Sequence, residues 1–181
     1  MTNGIRAGRV LGVPVFLERG FFIGFVLFSA AFAWFGATTL GLPPGEAIVG
    51  GLAAETLLWL SEFLHNVGHA IAARRTGWPM IGISLGLMLA LGRSIYPADE
   101  PALPSGVHVR RALGGPLVSL LIAALLLPVA LALRPTGGAP FYVAAFGAGL
   151  NFFVYTLQAL VPLGFNDGAV IWRAVRERFR I

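Results

Sequence analysis

Long apolar stretches, separated by short charged or glycine- and proline-rich segments, dominate the chain. A helix that crosses a bilayer needs about 20 predominantly apolar residues. The stretches of this length are residues 21–42, 47–73, 112–133 and 141–161. Each ends at arginines or at a break rich in glycine and proline, so the pattern predicts four transmembrane helices.

Residues 80–92 follow a different period. The large residues alternate strictly and are Ile83, Leu85, Leu87, Leu89 and Leu91, with glycine, serine, alanine or Met88 between them. A period of two predicts a β-strand rather than a helix. A strand at membrane depth is tolerated where it is buried in protein or lines a cavity. We therefore expect a small membrane-embedded hairpin or sheet and a pocket between the helices, and the extended stretch 10–17 is a candidate to pair with it.

Composition supports a membrane protein. Of 181 residues, 57% are hydrophobic and 12% are charged, about half the charged share of a typical soluble domain. Disorder is excluded by the apolar content, and too little polar surface remains to cover a soluble globule. The absence of cysteine excludes a disulfide scaffold, a cysteine-ligated metal site and a thiol nucleophile. We predict a single all-α integral membrane domain, residues 1–181, with the lipid bilayer as its surroundings.

Charge predicts the orientation. All 13 basic residues are arginines, and all but Arg134 fall on one side of the predicted spans. By the positive-inside rule, both termini are predicted to be cytoplasmic. The sequence pI near 11.0 then reflects loop charge, and no nucleic-acid partner is expected. Residues 169–181 are predicted to form an amphipathic helix in the cytoplasmic interface.

The second predicted span carries ionisable side chains. His65 and His69 are four residues apart and lie on one helix face, where two imidazoles can bind one divalent metal. The same pair could instead form hydrogen bonds between spans. Glu55 and Glu62 continue the stripe at seven-residue spacing, so the stripe faces protein or water rather than lipid.

Asp167 is a candidate third ligand. It follows the fourth span in a turn that contains Pro162 and Gly164, on the membrane side that also carries the histidines. The three groups can therefore converge. Alternatively, Asp167 is the N-cap of the helix that follows it.

Several motifs together resemble the site-2 protease family of intramembrane zinc metalloproteases. Residues 64–70, Leu-His-Asn-Val-Gly-His-Ala, are similar to its His-Glu-x-x-His motif, and Pro162 with Asp167-Gly168 match its second motif. Gly114-Gly115-Pro116 is similar to the opening of its third core span, and the alternating segment fits its membrane-embedded hairpin. The resemblance implies that His65, His69 and Asp167 hold one zinc per chain, leaving a fourth position for water.

The chain departs from the family at three motif positions. Asn66 stands where the family has its catalytic glutamate, Ala159 replaces an asparagine, and Asn166 replaces a leucine. A carboxamide is essentially non-basic, so Asn66 cannot take a proton from water as the glutamate does. Glu62, one turn before Asn66, is either a substitute base or a carboxylate that receives an N–H of His65 or His69.

Three hypotheses remain at this stage. The first is a zinc-binding pseudoprotease that binds membrane segments or serves as a subunit of a membrane complex, with its edge strand able to hold an extended peptide. The second is an active protease that cleaves transmembrane substrates, with Glu62 as its base or with Asn66 an engineered replacement of glutamate. The third is a metal-free structural membrane subunit whose histidines join the spans.

Overall fold

The computed structural model describes residues 4–87, 91–164 and 166–179. The strands are β1 (Ile5–Val10), β2 (Val13–Leu17), β3 (Gly82–Leu87) and β4 (Leu91–Ile95). The α-helices are α1 (Arg19–Thr38), α2 (Pro44–Arg75), α3 (Ser105–Leu133), α4 (Gly138–Gly149) and α5 (Asp167–Phe179). A π-helical stretch, Leu150–Thr156, and a 3-10 stretch, Leu157–Leu160, extend α4. Four helical segments are long and apolar enough to cross a membrane, so the predicted fold class is confirmed.

The helix ends differ from the predicted spans for local reasons. The first helix ends at Thr38 rather than at residue 42, because Gly41 adopts a positive φ of 67° and turns the chain towards α2. The second helix begins at Pro44, where a missing N–H costs nothing, and continues to Arg75. The third begins at Ser105 rather than at residue 112, because arginines can continue a helix beyond the membrane edge.

The fourth span changes its helical pitch halfway. Predicted as one segment at 141–161, it begins at Gly138 and loosens into the π-helix at Leu150. There the side-chain amide of Asn151 donates to Ser61 Oγ of α2, 2.8 Å away. The helical run ends at Leu160, shortly before Pro162, and α5 begins at Asp167 rather than at residue 169.

The four strands form one sheet in the order β1-β2-β3-β4. The outer pairs are antiparallel, whereas β2 and β3 are parallel. The predicted β segment at 80–92 corresponds to a hairpin of two strands, β3 and β4, and β4 continues past Gly92 to Ile95. The predicted extended stretch at 10–17 contributes the end of β1 and all of β2, and it pairs with β3 as expected. Leu89 lies outside the described residues.

The sheet packs on α2, which is the central helix. Ile83 and Leu85 of β3 are buried in one cluster with Trp59, Ala70 and Ala73 of α2. Both faces of β3 are covered, because Gly82 to Gly86 are all buried. A strand with no lipid-exposed face satisfies the requirement for backbone at membrane depth.

Two glycines bring α2 and α3 into backbone contact. A Cβ at Gly68 would lie 2.3 Å from the carbonyl oxygen of Gly114, and one at Gly114 would lie 2.4 Å from that of Gly68. Small residues at such a crossing allow membrane helices to approach closely. The crossing places the His65–His69 turn of α2 directly against α3.

Candidate metal centre

Three side chains converge where α2 meets the start of α5. His65 Nε2 lies 3.3 Å from Asp167 Oδ2, and His69 Nε2 lies 3.4 Å from Asp167 Oδ1. The two Nε2 atoms are 3.1 Å apart. Both histidines are buried, and Asp167 is largely so. The structure therefore brings together the three residues that the sequence singled out as metal ligands.

The histidines are held through their other ring nitrogens. His69 Nδ1 lies 2.8 Å from the backbone carbonyl of Arg111, which can only accept, so Nδ1 carries the proton and donates. His65 Nδ1 lies 3.0 Å from Ser119 Oγ. With its proton on Nδ1, His69 presents Nε2 as a lone pair for a metal, and the Ser119 hydroxyl, which can accept from His65 Nδ1, allows the same tautomer for His65. Glu62 is not the partner of either Nδ1, in contrast to one role considered for it above.

The donor set fits zinc. Two imidazole lone pairs and a carboxylate that face one another need a proton or a cation between them. Tetrahedral zinc with ligands at about 2.0–2.1 Å has ligand atoms about 3.3 Å apart. The observed separations of 3.1, 3.3 and 3.4 Å match that edge length. Neutral histidines and an aspartate are ligands that zinc accepts.

Gly115 of α3 keeps the space between the histidines free. A Cβ there would lie 2.4 Å from His69 Nε2 and 2.5 Å from His65 Nε2. Any side chain would thus meet both nitrogen atoms that face Asp167. Glycine is the residue that lets the α3 backbone pass beside the candidate ligands.

Asn166, rather than Asp167, caps α5. Its Oδ1 accepts hydrogen bonds from the backbone N–H groups of Ala169 and Leu163, at 3.1 and 3.0 Å. Its amide group donates to the carbonyls of Gln158 and Val161, at 3.0 and 2.8 Å. Asn166 therefore organises the turn, and the Asp167 carboxylate is left to face the histidines.

The carboxyl group of Asp167 is strongly acidic. Burial by itself raises its pKa, but when no metal is bound and the imidazoles are protonated, hydrogen bonds from His65 and His69 and their positive charge outweigh burial and lower the pKa to about 2. The carboxylate is therefore ionised near neutral pH, the form that binds a cation.

Asn66 is fully engaged in hydrogen bonds beside the candidate ligands. Its Nδ2 donates to Glu62 Oε1 and to the Glu62 backbone carbonyl, at 3.0 and 2.9 Å, and its Oδ1 accepts from Ser94 Oγ at 3.0 Å. Glu62 Oε1 also accepts from the backbone N–H of Gly92, at 2.8 Å. The two residues thus join α2 to β4. Ala159, the other departure from the family motif, is a buried alanine of the 3-10 stretch.

A polar pocket of about 270 Å³ adjoins the site, lined by His69, Ser94, Tyr96, Glu100, His108, Arg111, Ala112, Asp167 and Val170. The buried Arg111 guanidinium bonds both carboxylate oxygens of Glu100 at 3.0 Å and lies 3.5 Å from the Tyr96 ring centroid. Sequence reasoning missed this cluster and the contribution of Arg111 to His69. In the sequence, Arg111 beside an apolar run indicated a membrane edge. Nothing in the local pattern indicated that its backbone carbonyl accepts from His69.

Comparisons with known proteins support the resemblance to site-2 proteases. The structure of a site-2 protease from Methanocaldococcus jannaschii superposes with a TM-score of 0.60 at 22% identity, covering 97% of this chain and 72% of that one. A Synechocystis sp. protein, provisionally described as a zinc metalloprotease, is 28% identical over 122 residues, which is 67% of this chain. No family model matches the chain.

The chain is therefore an integral membrane protein with a site-2 protease-like fold, as the motifs predicted. It spans about a third of the length of the Synechocystis protein, since 31% of that protein is aligned.

Proposed function

We propose that the chain is a zinc-binding pseudoprotease, which keeps the metal centre of the fold, does not hydrolyse peptides efficiently, and binds segments of other membrane proteins. The observation that carries this proposal is the pairing of a converged ligand set, His65, His69 and Asp167, with an asparagine at residue 66. The centre would hold one zinc per chain.

Hydrogen bonds that orient the candidate ligands support zinc binding. Both Nδ1 atoms have partners on α3, and the Asp167 carboxylate is presented by the capped start of α5. When bound, zinc supplies a Lewis acid that activates water. A metal-free protein whose histidines join the spans would need no third, ionised group between the two imidazoles.

Loss of hydrolysis follows from the chemistry of residue 66. Both ends of the Asn66 amide are occupied, and a carboxamide does not accept a proton near neutral pH. Glu62, the substitute considered above, accepts hydrogen bonds from Asn66 and Gly92, and no hydrogen bond joins it to a candidate ligand among the described residues. A positioned general base typically contributes about 10²–10⁴-fold in rate.

The partner class follows from where the centre lies. His65 is ten residues before the end of α2 at Arg75, about 15 Å along the helix axis. With the arginine-rich side cytoplasmic, the centre lies within the membrane near that face, and both termini are cytoplasmic. An extended segment of a membrane protein could reach the centre beside β4, which is an edge strand.

A cleavage assay tests the proposal. The zinc-loaded chain is placed in lipid nanodiscs with a labelled membrane-spanning peptide, and cleavage is compared with that by Asn66→Glu and Glu62→Gln. We expect cleavage by the wild-type chain to be about 10²–10⁴-fold slower than cleavage by Asn66→Glu.

Cleavage by the wild-type chain that is abolished in Glu62→Gln would contradict the proposal. That result would establish the active protease with Glu62 as its base. Zinc loading of each variant is measured in parallel, because a variant that fails to bind zinc gives no information on the base.

A further inference from the structure

The outer edge of β4 is closed by a side chain of α2. In the sheet, β4 pairs with β3 on one side and with no other strand among the described residues. The backbone N–H of Gly92 points away from β3 and donates to Glu62 Oε1 at 2.8 Å. Successive residues of an antiparallel strand present their backbone groups to alternate edges, so Gly92 belongs to the edge that faces α2.

Asn66 and Ser94 hold Glu62 in that position. Asn66 Nδ2 donates to the same Glu62 oxygen at 3.0 Å, and Asn66 Oδ1 accepts from Ser94 Oγ, two residues along β4 from Gly92. The Glu62 side chain is buried, and Ser94 is half-buried. A glutamate at residue 66 could not make this arrangement, because it would offer no N–H donor and would place a second carboxylate beside Glu62.

The contact depends on the absence of a side chain at residue 92. A Cβ on Gly92 would lie 2.6 Å from Glu62 Oε1 and 2.7 Å from Asn66 Nδ2. The carboxylate oxygen therefore sits against the strand where the carbonyl oxygen of an added strand would sit. An unpaired edge at membrane depth would leave a backbone N–H without a partner, which is unfavourable in lipid.

We propose that the Glu62 carboxylate closes the outer edge of β4 when no partner is bound. An extended partner segment then binds by replacing Glu62 as the acceptor of the Gly92 N–H. This inference rests on the proposed function, which supplies the partner, a segment of a membrane protein. It adds that Glu62 competes with this partner for the Gly92 N–H. The asparagine at 66 is then a positioning residue that holds the competitor in place.

Binding of two zinc-directed probes tests the inference. Acetohydroxamate is small and reaches the metal alone, whereas a hydroxamate on an extended Leu-Ala-Leu-Ala peptide reaches both the metal and the β4 edge. In the wild-type chain the peptide portion is expected to add little affinity. In Glu62→Ala the peptide hydroxamate is expected to bind about tenfold more tightly, the effect of one additional backbone hydrogen bond, with acetohydroxamate unchanged.

Two further variants control for shape and folding. Glu62→Gln keeps an acceptor oxygen for Gly92 and is expected to bind both probes as the wild type does. Gly92→Ala would place its Cβ against the position that the Glu62 oxygen and the carbonyl oxygen of an added strand share, so it displaces the carboxylate without strengthening peptide binding. Unchanged acetohydroxamate binding shows that a variant keeps its fold and its metal.

The inference is overturned if the peptide hydroxamate binds the wild-type chain and Glu62→Ala equally tightly. If acetohydroxamate does not bind the wild-type chain, the zinc proposal fails. Amide hydrogen exchange then tests separately whether Glu62 protects the Gly92 N–H. Exchange at Gly92 should be at least about tenfold faster in Glu62→Ala than in Glu62→Gln, and equal rates would contradict the inference.

Discussion

The side chain of Asn166 accepts a hydrogen bond from the backbone N–H of Ala169 at 3.1 Å, and in doing so it caps α5. The neighbouring Asp167 is thereby freed to face His65 and His69. Asn166, which departs from the family motif, thus supports the candidate metal centre. It caps the helix, so Asp167 is free to act as a ligand.

Replacement of Asn166 should weaken zinc binding. Asn166→Ala removes the cap and the contacts that organise the turn, which lowers the stability of α5 by about 1 kcal/mol and zinc affinity by about 10–100-fold. Asn166→Asp keeps the capping oxygen and should retain more of the affinity. Competition with a chromogenic zinc chelator measures both variants, and equal affinity for wild type and Asn166→Ala would show that the turn does not position Asp167.

A methyl group at residue 115 should displace the metal. The Cβ of Gly115→Ala would lie within 2.5 Å of both histidine Nε2 atoms, so we expect zinc to be lost while the chain remains folded. Gly106→Ala is the matched control on the same helix, because in the described part of the chain a Cβ there meets nothing within 4 Å beyond its own stretch of helix. Zinc content and helical circular dichroism are compared, and full zinc in Gly115→Ala would place the metal elsewhere.

Ser119 should contribute to zinc affinity through His65. Ser119→Ala removes the partner of His65 Nδ1, and loss of such a contact typically costs about 10–100-fold in affinity. Ser29→Ala removes a buried hydroxyl of α1 that has no hydrogen-bond partner among the described residues, so it should leave zinc affinity unchanged. A similar loss in both variants would indicate a general effect of buried serines rather than positioning of His65.

Tyr96 should make the chain less stable at high pH. Burial raises the pKa of its phenol above the ordinary value of 10.0, although the nearby Arg111 acts in the opposite direction. A raised pKa gives stability that is fully present below about pH 10 and is lost as the pH rises towards the folded-state value. For one proton the slope is at most about 1.4 kcal/mol per pH unit.

Thermal unfolding in detergent between about pH 8 and about pH 11 measures this effect. Tyr96→Phe cannot ionise at that position, so its Tm should fall less over the range than that of the wild type. Parallel Tm curves for the two proteins would show that Tyr96 does not couple ionisation to folding.

Apolar periodicity predicted the fold class because the membrane imposes long helices and a buried strand. The alternation of Ile83 and Leu85 indicated a strand, and both residues are buried against α2. The sequence predicted a hairpin or sheet here but not the bounds of its two strands, since both strands share one alternating composition. Helix ends were missed where the helices continue beyond the uncharged apolar run, as α3 does through Arg111 and Arg110 to Ser105.

The candidate site was predictable where it depends on local spacing and a motif. His65 and His69 share one helix turn, and a short turn with glycine and proline presents Asp167. The contacts that orient these ligands come from Ser119 and Arg111, far away in sequence and joined to α2 by the glycine crossing. The bond from Gly92 to Glu62 likewise depends on where the sheet packs, which no local pattern encodes.

The most direct test of the candidate metal centre is the zinc content of the purified chain, measured by inductively coupled plasma mass spectrometry. We expect about one zinc per chain in the wild type and almost none in Asp167→Ala. His108→Ala, which changes a histidine that lines the adjoining pocket, should keep its zinc. A wild-type chain without zinc, or an Asp167→Ala chain with unchanged zinc, would contradict the central claim that His65, His69 and Asp167 form a metal centre.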